Sequence, residues 1–419
     1  MKHIRQILCG ALAALALLSG CAAPASSAPP AATAAPTPSP TPSPTPAPTP
    51  EPTPRPAAQQ VELTASGEGL DLANINDPDN FSKVRLSNDT AITLQAETDI
   101  GELYLVFDRP VEWRLETADG TEQACGQNGF IHEYVELAQP ASTVTLHLPA
   151  DTVLCEVYAF TPGQVPDWVQ QWQPPCEKAD LLVLPTHADD EHLWFGGTLP
   201  YYAGEKGYAV QVAYMTNHWG EPYRPHELLN GLWTVGVRNY PVISDFPDLY
   251  ASKESLESAR QVYNEEEVTA WQVEQLRRFK PSVVLGHDID GEYGHGAHML
   301  NAVTLLSALE MSGDAARFPE SAEEYGVWQV PKCYLHLWPE NTIQMEWGEI
   351  PLAAFDGRTA LEMAAEGFAC HVSQTQWFEV KAGGSNDCRK FGLAYTNVGP
   401  DEAKNDFFEN IPSAFGGPA

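Results

Sequence analysis

Cationic residues are scarce in this sequence: 23 Lys and Arg stand against 56 Asp and Glu, a formal net charge of −33. Residues 1–57 hold Lys2, Arg5 and Arg55 against Glu51 alone, which leaves 20 basic and 55 acidic residues in the rest. A surface of that sign repels nucleic acid and anionic lipid, and it admits neutral or cationic substrates. No two cysteines are spaced as CxxC, which argues against a structural zinc knuckle and a thioredoxin-like redox site. The apolar run Ile7 to Leu18 is too short to span a bilayer stably.

That run follows the positive Lys2, His3 and Arg5, so residues 1–20 read as a secretory signal. It ends in Leu18-Ser19-Gly20-Cys21, which resembles the lipobox of bacterial lipoproteins. The resemblance implies cleavage before Cys21, acylation of that cysteine and a lipid anchor on the outer face of the cell membrane. An ordinary secreted protein is the alternative. Residues 21–57 collapse to Ala, Ser, Thr and Pro and are expected to form an extended polyproline stalk without a core. Six further cysteines remain: Cys125, Cys155, Cys176, Cys333, Cys370 and Cys388. Export permits disulfides, and a Cys125–Cys155 bridge is conceivable, but spacing fixes no pairing.

Two folded domains are expected after the stalk. Within 58–165 the segments 91–95, 103–107, 111–115, 143–148 and 153–160 are rich in β-branched and aromatic residues, and several alternate apolar with polar. Asp119-Gly120 supplies a turn, so a smaller all-β antiparallel sandwich is predicted. The order of features is similar to discoidin-type carbohydrate-binding modules; a spacer role is equally open, and Trp113 reads as core. From 175 to 419 the pattern alternates strand and helix. Leu181-Leu182-Val183-Leu184 is apolar throughout, as in a strand buried on both faces of a parallel sheet. Helices are expected over 195–206, 226–235, 265–279 and 298–311, with strands at 209–215 and 283–285. Asn264 with Glu267 forms the capping pattern of the third helix. The fold class is therefore α/β: a doubly wound, Rossmann-like, mainly parallel sheet.

In such sheets ligands bind beyond the carboxyl ends of strands. Thr186-His187-Ala188-Asp189-Asp190-Glu191-His192 follows the first strand, and a second cluster follows another, running from His287 through Asp288, Asp290, Glu292, Tyr293 and His295 to His298. His187 and Asp190 can turn nitrogen and oxygen to one point, and one histidine of the second cluster completes a His₂Asp set with an open position, as a catalytic zinc requires. Asp189 can aim at the water. All of these residues lie after 175, so the second domain is expected to hold the chemistry alone.

His187-Ala188-Asp189-Asp190-Glu191 is similar to the H-P-D-D-E signature of the PIG-L (LmbE-like) zinc deacetylases. Gly291-Glu292-Tyr293-Gly294-His295-Gly296-Ala297-His298 resembles that family's later G-x-Y-G-H-x-x-H. Arg224-Pro225-His226-Glu227-Leu228 and His371-Val372-Ser373-Gln374 resemble two further motifs in the same order. The resemblance implies one Zn²⁺ per chain on His187, Asp190 and His298, although other divalent metals suit such ligands. It implies Asp189 as general base, and His295 as oxyanion stabiliser or proton donor. Tyr293 would polarise the carbonyl, Arg224 would contact substrate hydroxyls, and Glu191 would brace the loop. Ala188 stands where the family has proline. Ala297 stands where the family often has an acid that orients the neighbouring histidine, so Asp288 or Asp290 is expected to act on His295 instead. His192, His218, His226, His287 and His336 read as packing or surface residues, and His371 as either packing or site. The implied activity is removal of N-acetyl groups from N-acetylated amino sugars at the cell surface. The alternatives are an amidase acting on a larger acyl group or amino-sugar conjugate, and a non-catalytic glycan-binding lipoprotein.

Overall fold

The computed structural model describes residues 55–77, 79 and 82–412. The signal segment, Cys21 and the stalk up to residue 54 lie outside the described residues. Residues 55–57, expected to belong to the stalk, are held instead: Arg55 pairs with Glu136 at 2.9 Å and the Gln164 amide donates to the Pro56 carbonyl at 2.7 Å.

The first sheet comprises β1 (Gln60–Val61), β2 (Thr64–Ser66), β3 (Val84–Arg85), β4 (Thr90–Phe107), β5 (Trp113–Thr117), β6 (Glu122–Cys125), β7 (His132–Leu148) and β8 (Val153–Phe160). Every pairing in it is antiparallel. Ile92, Leu94, Trp113, Leu115, Val144 and Leu146 alternate inward to one buried cluster, as a period-two pattern requires. The expected strands 91–95 and 103–107 are one strand, β4. The polar Glu97-Thr98-Asp99 between them stays extended, and a register irregularity after Gln95 replaces the turn.

The second sheet comprises β9 (Leu181–Val183), β10 (Val210–Tyr214), β11 (Val242–Ile243), β12 (Val283–Gly286), β13 (Lys332–His336), β14 (Thr342–Gln344) and β15 (Lys390–Thr396). Their order is β11-β10-β9-β12-β13-β15-β14. Pairings from β11 through β13 are parallel, and β15 runs antiparallel to β13 and β14. Leu181 and Val183 enter one buried cluster and Leu182 and Leu184 another, so β9 is buried on both faces. The chain leaves β9 toward β10 and returns at β12 on its other side. Their carboxyl ends therefore diverge at a topological switch point, where a crevice forms.

The helices are α1 (Asp190–Leu193), α2 (Arg224–Thr234), α3 (Leu256–Val262), α4 (Glu265–Phe279), α5 (Gly296–Met311), α6 (Pro319–Tyr325) and α7 (Ala360–Ala369). The Asn264 side chain caps α4 by accepting from the Glu266 amide at 3.0 Å and donates to Glu267 at 2.9 Å. The helix expected over 195–206 is instead a π-turn at Pro200–Glu205. Pro200 lacks an amide, and a side chain on Gly197 would strike Trp347 and Ala360, so close packing overrides regular α geometry there.

The two sheets share hydrophobic material. Phe130, Ile131 and Trp172, which precede residue 175, belong to the same buried cluster as Leu181, Val183 and Tyr214. Phe130 stacks on Tyr240 with ring centroids 4.5 Å apart. His132 of β7 meets His226 of α2 at 2.9 Å. The two expected domains therefore pack on each other within one compact unit. All six described cysteines are free thiols.

Candidate metal and catalytic site

Five strand ends supply the site. The loop after β9 brings His187, Asp189 and Asp190; the segment after β12 brings Glu292, Tyr293, His295 and His298. His218 follows β10, Asp248 follows β11, and His336 ends β13. Two backbone features shape the loops. Asp189 holds φ 128°, a sparsely populated conformation for a residue with a side chain. Gly291 (φ 68°) allows the tight turn ahead of Tyr293, because a Cβ there would lie 2.5 Å from the His295 carbonyl oxygen.

His187 Nδ1, Asp190 Oδ2 and His298 Nε2 converge. His187 Nδ1 lies 3.3 Å from Asp190 Oδ2 and 3.1 Å from His298 Nε2, and His298 Nε2 lies 3.4 Å from Asp190 Oδ2. All three residues are buried. His298 Nδ1 lies 2.8 Å from Glu292 Oε2; the carboxylate can only accept, so Nδ1 carries the proton and Nε2 is the atom turned toward Asp190 and His187. Lone pairs facing a carboxylate at this range require a cation or proton between them. The donor set of two imidazoles and one carboxylate suits Zn²⁺ and related divalent ions.

Glu292 organises the layer behind. Its Oε2 accepts from His287 Nδ1 and His298 Nδ1, and its Oε1 accepts from His336 Nδ1, each at 2.8 Å. His287 Nε2 accepts the Thr186 amide at 2.9 Å, which fixes its tautomer. Burial raises the Glu292 carboxyl, but His287, His298 and His336 outweigh it and hold the group well below the usual carboxylate range. On the other side Asp248 Oδ1 stands 3.6 Å from His187 Nε2 and its Oδ2 stands 3.5 Å from His218 Nδ1. Burial lowers His187, yet Asp190 and Asp248 hold it up at about 10. Three buried or partly buried carboxylates, Asp190, Asp248 and Glu292, thus face the histidines of the site.

Asp189 is pushed up to about 7, chiefly by burial, with Arg224 opposing and Asp190 adding to the shift. Its own amide is bound by Glu191 Oε2 at 2.9 Å, so Glu191 braces the loop. Arg224 Nη2 donates to the Ala188 carbonyl at 2.6 Å and Nη1 stands 3.7 Å from Asp189 Oδ2; its Nε makes no hydrogen bond. Neither Asp288 nor Asp290 orients His295, contrary to expectation: Asp288 Oδ1 accepts the Asp290 amide instead, and the buried His295 Nδ1 makes no hydrogen bond. Burial, His298 and His187 push His295 down to about 2. His371 packs behind the loop, 3.2 Å from Glu191 Oε1, rather than lining the pocket.

A cavity of about 280 Å³ opens onto these groups, lined by His187, Asp189, Asp190, Arg224, Tyr293 and His295 among others. Of the expected catalytic, substrate and metal residues, His187, Asp189, Asp190, Arg224, Tyr293 and His295 border it, and His298 lies fully buried beneath. Sequence reasoning missed Asp248, and it took His287, His336 and His218 for packing residues. His287 sits in the very cluster that drew attention, three residues before Asp290. Asp248 lies on a loop after the two-residue β11 and has no motif to announce it.

Residues 181–309 match the PIG-L family, GlcNAc-PI de-N-acetylase. The chain is similar to the 1D-myo-inositol 2-acetamido-2-deoxy-alpha-D-glucopyranoside deacetylase 1 of Catenulispora acidiphila, at 25% identity over 193 residues, 40% of this chain and 59% of that protein. The deacetylase of the same substrate name from Mycobacterium leprae is 29% identical over 214 residues, 44% of this chain and 65% of that protein. The match thus spans 59% and 65% of these two relatives. Among solved structures, N,N'-diacetylchitobiose deacetylase from Pyrococcus horikoshii aligns with a TM-score of 0.35 and 17% identity, covering 49% of this chain and 74% of that one.

Proposed function

Starting from a PIG-L family domain at residues 181–309, we propose that this chain is a divalent-metal hydrolase that removes acetyl groups from N-acetylated amino sugars. The observation that carries the reading is the mutual approach of His187, Asp190 and His298 within 3.1–3.4 Å at the floor of an open pocket. These three would hold Zn²⁺. Held there, zinc would supply Lewis acidity toward an amide carbonyl and toward a water molecule, whose pKa it would bring near neutral.

The chain's own residues do the rest. Asp189 borders the pocket and takes the proton from the attacking water at its carboxylate. His295 and Tyr293 border the same pocket and stabilise the negative oxygen that forms on the carbonyl. As the C–N bond breaks, the amine leaves with the proton that water gave up, and acetate is the second product. Arg224 also borders the pocket, and its guanidinium would contact a sugar hydroxyl.

The purified chain should release acetate from N-acetylglucosamine or its oligomers, lose that activity on chelation and regain it with Zn²⁺. If no acetate is released from any N-acetylated amino sugar while a longer acyl group is cleaved, the amidase reading replaces this one. Membrane attachment through Cys21 belongs to the same proposal. Cys21→Ser should move the protein from the membrane fraction to the soluble fraction, and a variant that still sediments with membranes would reject the anchor.

A further inference from the structure

The pocket continues beyond the reacting groups. Leu193, Trp194, Tyr293 and Phe378 line it and also line a second cavity of about 530 Å³, formed mainly by residues 375–386. Three of these four shared residues are aromatic, and their ring centroids lie 5.5–6.1 Å apart. The second cavity is nearly twice the 280 Å³ of the first. A single acetamido sugar over the metal ligands would leave it empty.

The lining of this groove has a recognisable chemistry. Trp377 lies in it with 70% of its surface exposed. An indole face left in water forfeits about 25 cal/mol per Å² of apolar burial. Its π-face is electron-rich, and the C–H edges of a pyranose ring present the matching electropositive apolar face. Gln376, Ser385 and Asn386 place amide and hydroxyl groups beside it, suited to sugar hydroxyls. The catalytic pocket has an aromatic of its own, Tyr250, which is 77% exposed with the Lys253 ammonium 3.4 Å from its ring centroid. The net acidity of residues 58–419 disfavours anionic occupants and leaves neutral glycans favoured.

We propose that the 375–386 groove binds the further units of a linear glycan, so that the substrate class is a chain of three or more sugars, with its N-acetylated unit in the pocket and a neighbouring unit stacked on Trp377. This assignment rests on the deacetylase reading for the identity of the pocket's occupant.

The test is a length series of β-1,4-linked N-acetylglucosamine, from one to four units, hydrolysed by the native chain, Trp377→Ala and Trp377→Phe. In the native chain kcat/KM should rise from one unit to three. Trp377→Ala should raise KM for the trimer by about threefold to tenfold and cost the trimer more than the monosaccharide, with kcat nearly kept, while Trp377→Phe should recover most of the loss. A loss equal at every length, or none, would overturn the proposal. Should no length release acetate, the deacetylase reading fails, and calorimetric binding of the tetramer then decides this one. Weaker binding to Trp377→Ala than to the native chain supports the groove, and equal binding refutes it. The exposure of Trp377 makes the variant's fold secure, and a thermal melt checks it.

Discussion

At the residue scale the proposed reaction would divide the site into groups that hold charge and groups that move protons. His298 has its Nδ1 committed to Glu292 and its Nε2 turned to Asp190 and His187. In the proposed reaction its imidazole would serve as a ligand. Asp189 has one oxygen 3.7 Å from Arg224 and borders the open cavity, where the proposed base would need to stand. His298→Ala should therefore lose bound zinc and turnover together. Asp189→Asn keeps size and shape but accepts no proton, so zinc should remain while turnover falls by about 10²–10⁴-fold. Metal content by mass spectrometry and acetate release on the same samples check both. Full activity in Asp189→Asn would end the general-base assignment, and full zinc occupancy in His298→Ala would remove that residue from the ligand set.

At the element scale, what was legible in the sequence is what local chemistry decides. The Asn264–Glu267 cap, the two-faced strand at Leu181–Val183 and the histidines opening α5 were all readable, because each depends on residues within one turn or one strand. The 195–206 segment misread because its conformation is imposed from a distance. Gly197 must admit Trp347 and Ala360, and a side chain on Gly204 would meet Phe355; helix propensity has no knowledge of such partners. The same applies to the site. His187, Asp190 and His298 announce themselves through spacing and motif. Asp248 reaches His187 from 61 residues away in sequence, and His336 reaches Glu292 from 44, so only the sheet order could join them. Groups that orient ligands through their far nitrogen count nearly as much as the ligands themselves. They are also the part of the site least visible in a linear reading.

At the scale of the whole molecule the question is whether the site can stand without the first sheet. Phe130, Ile131 and Trp172 are at most 8% exposed and share one buried cluster with the strands of the second sheet. Trp172 also lies edge-on to Trp233 of α2 and to Tyr240, and Gln170 donates to Asn230 of α2 at 2.7 Å. The helix so supported begins with Arg224, which holds the Ala188 carbonyl and stands against Asp189. A chain beginning near residue 175 would lose three large apolar side chains from that cluster, each worth about 1.5–3 kcal/mol of burial. Native domains have only about 5–15 kcal/mol in total, so the loss takes much of the margin. That truncation should melt well below a chain beginning at Arg55 and should show reduced turnover even on a small soluble N-acetylated sugar. The Arg55 chain, which keeps every contact described here, should match the full-length protein in both measurements. Thermal unfolding and acetate release for the two truncations decide the matter: if the chain from 175 melts and turns over like the chain from 55, the first sheet is a separable appendage and α2 holds its place without it.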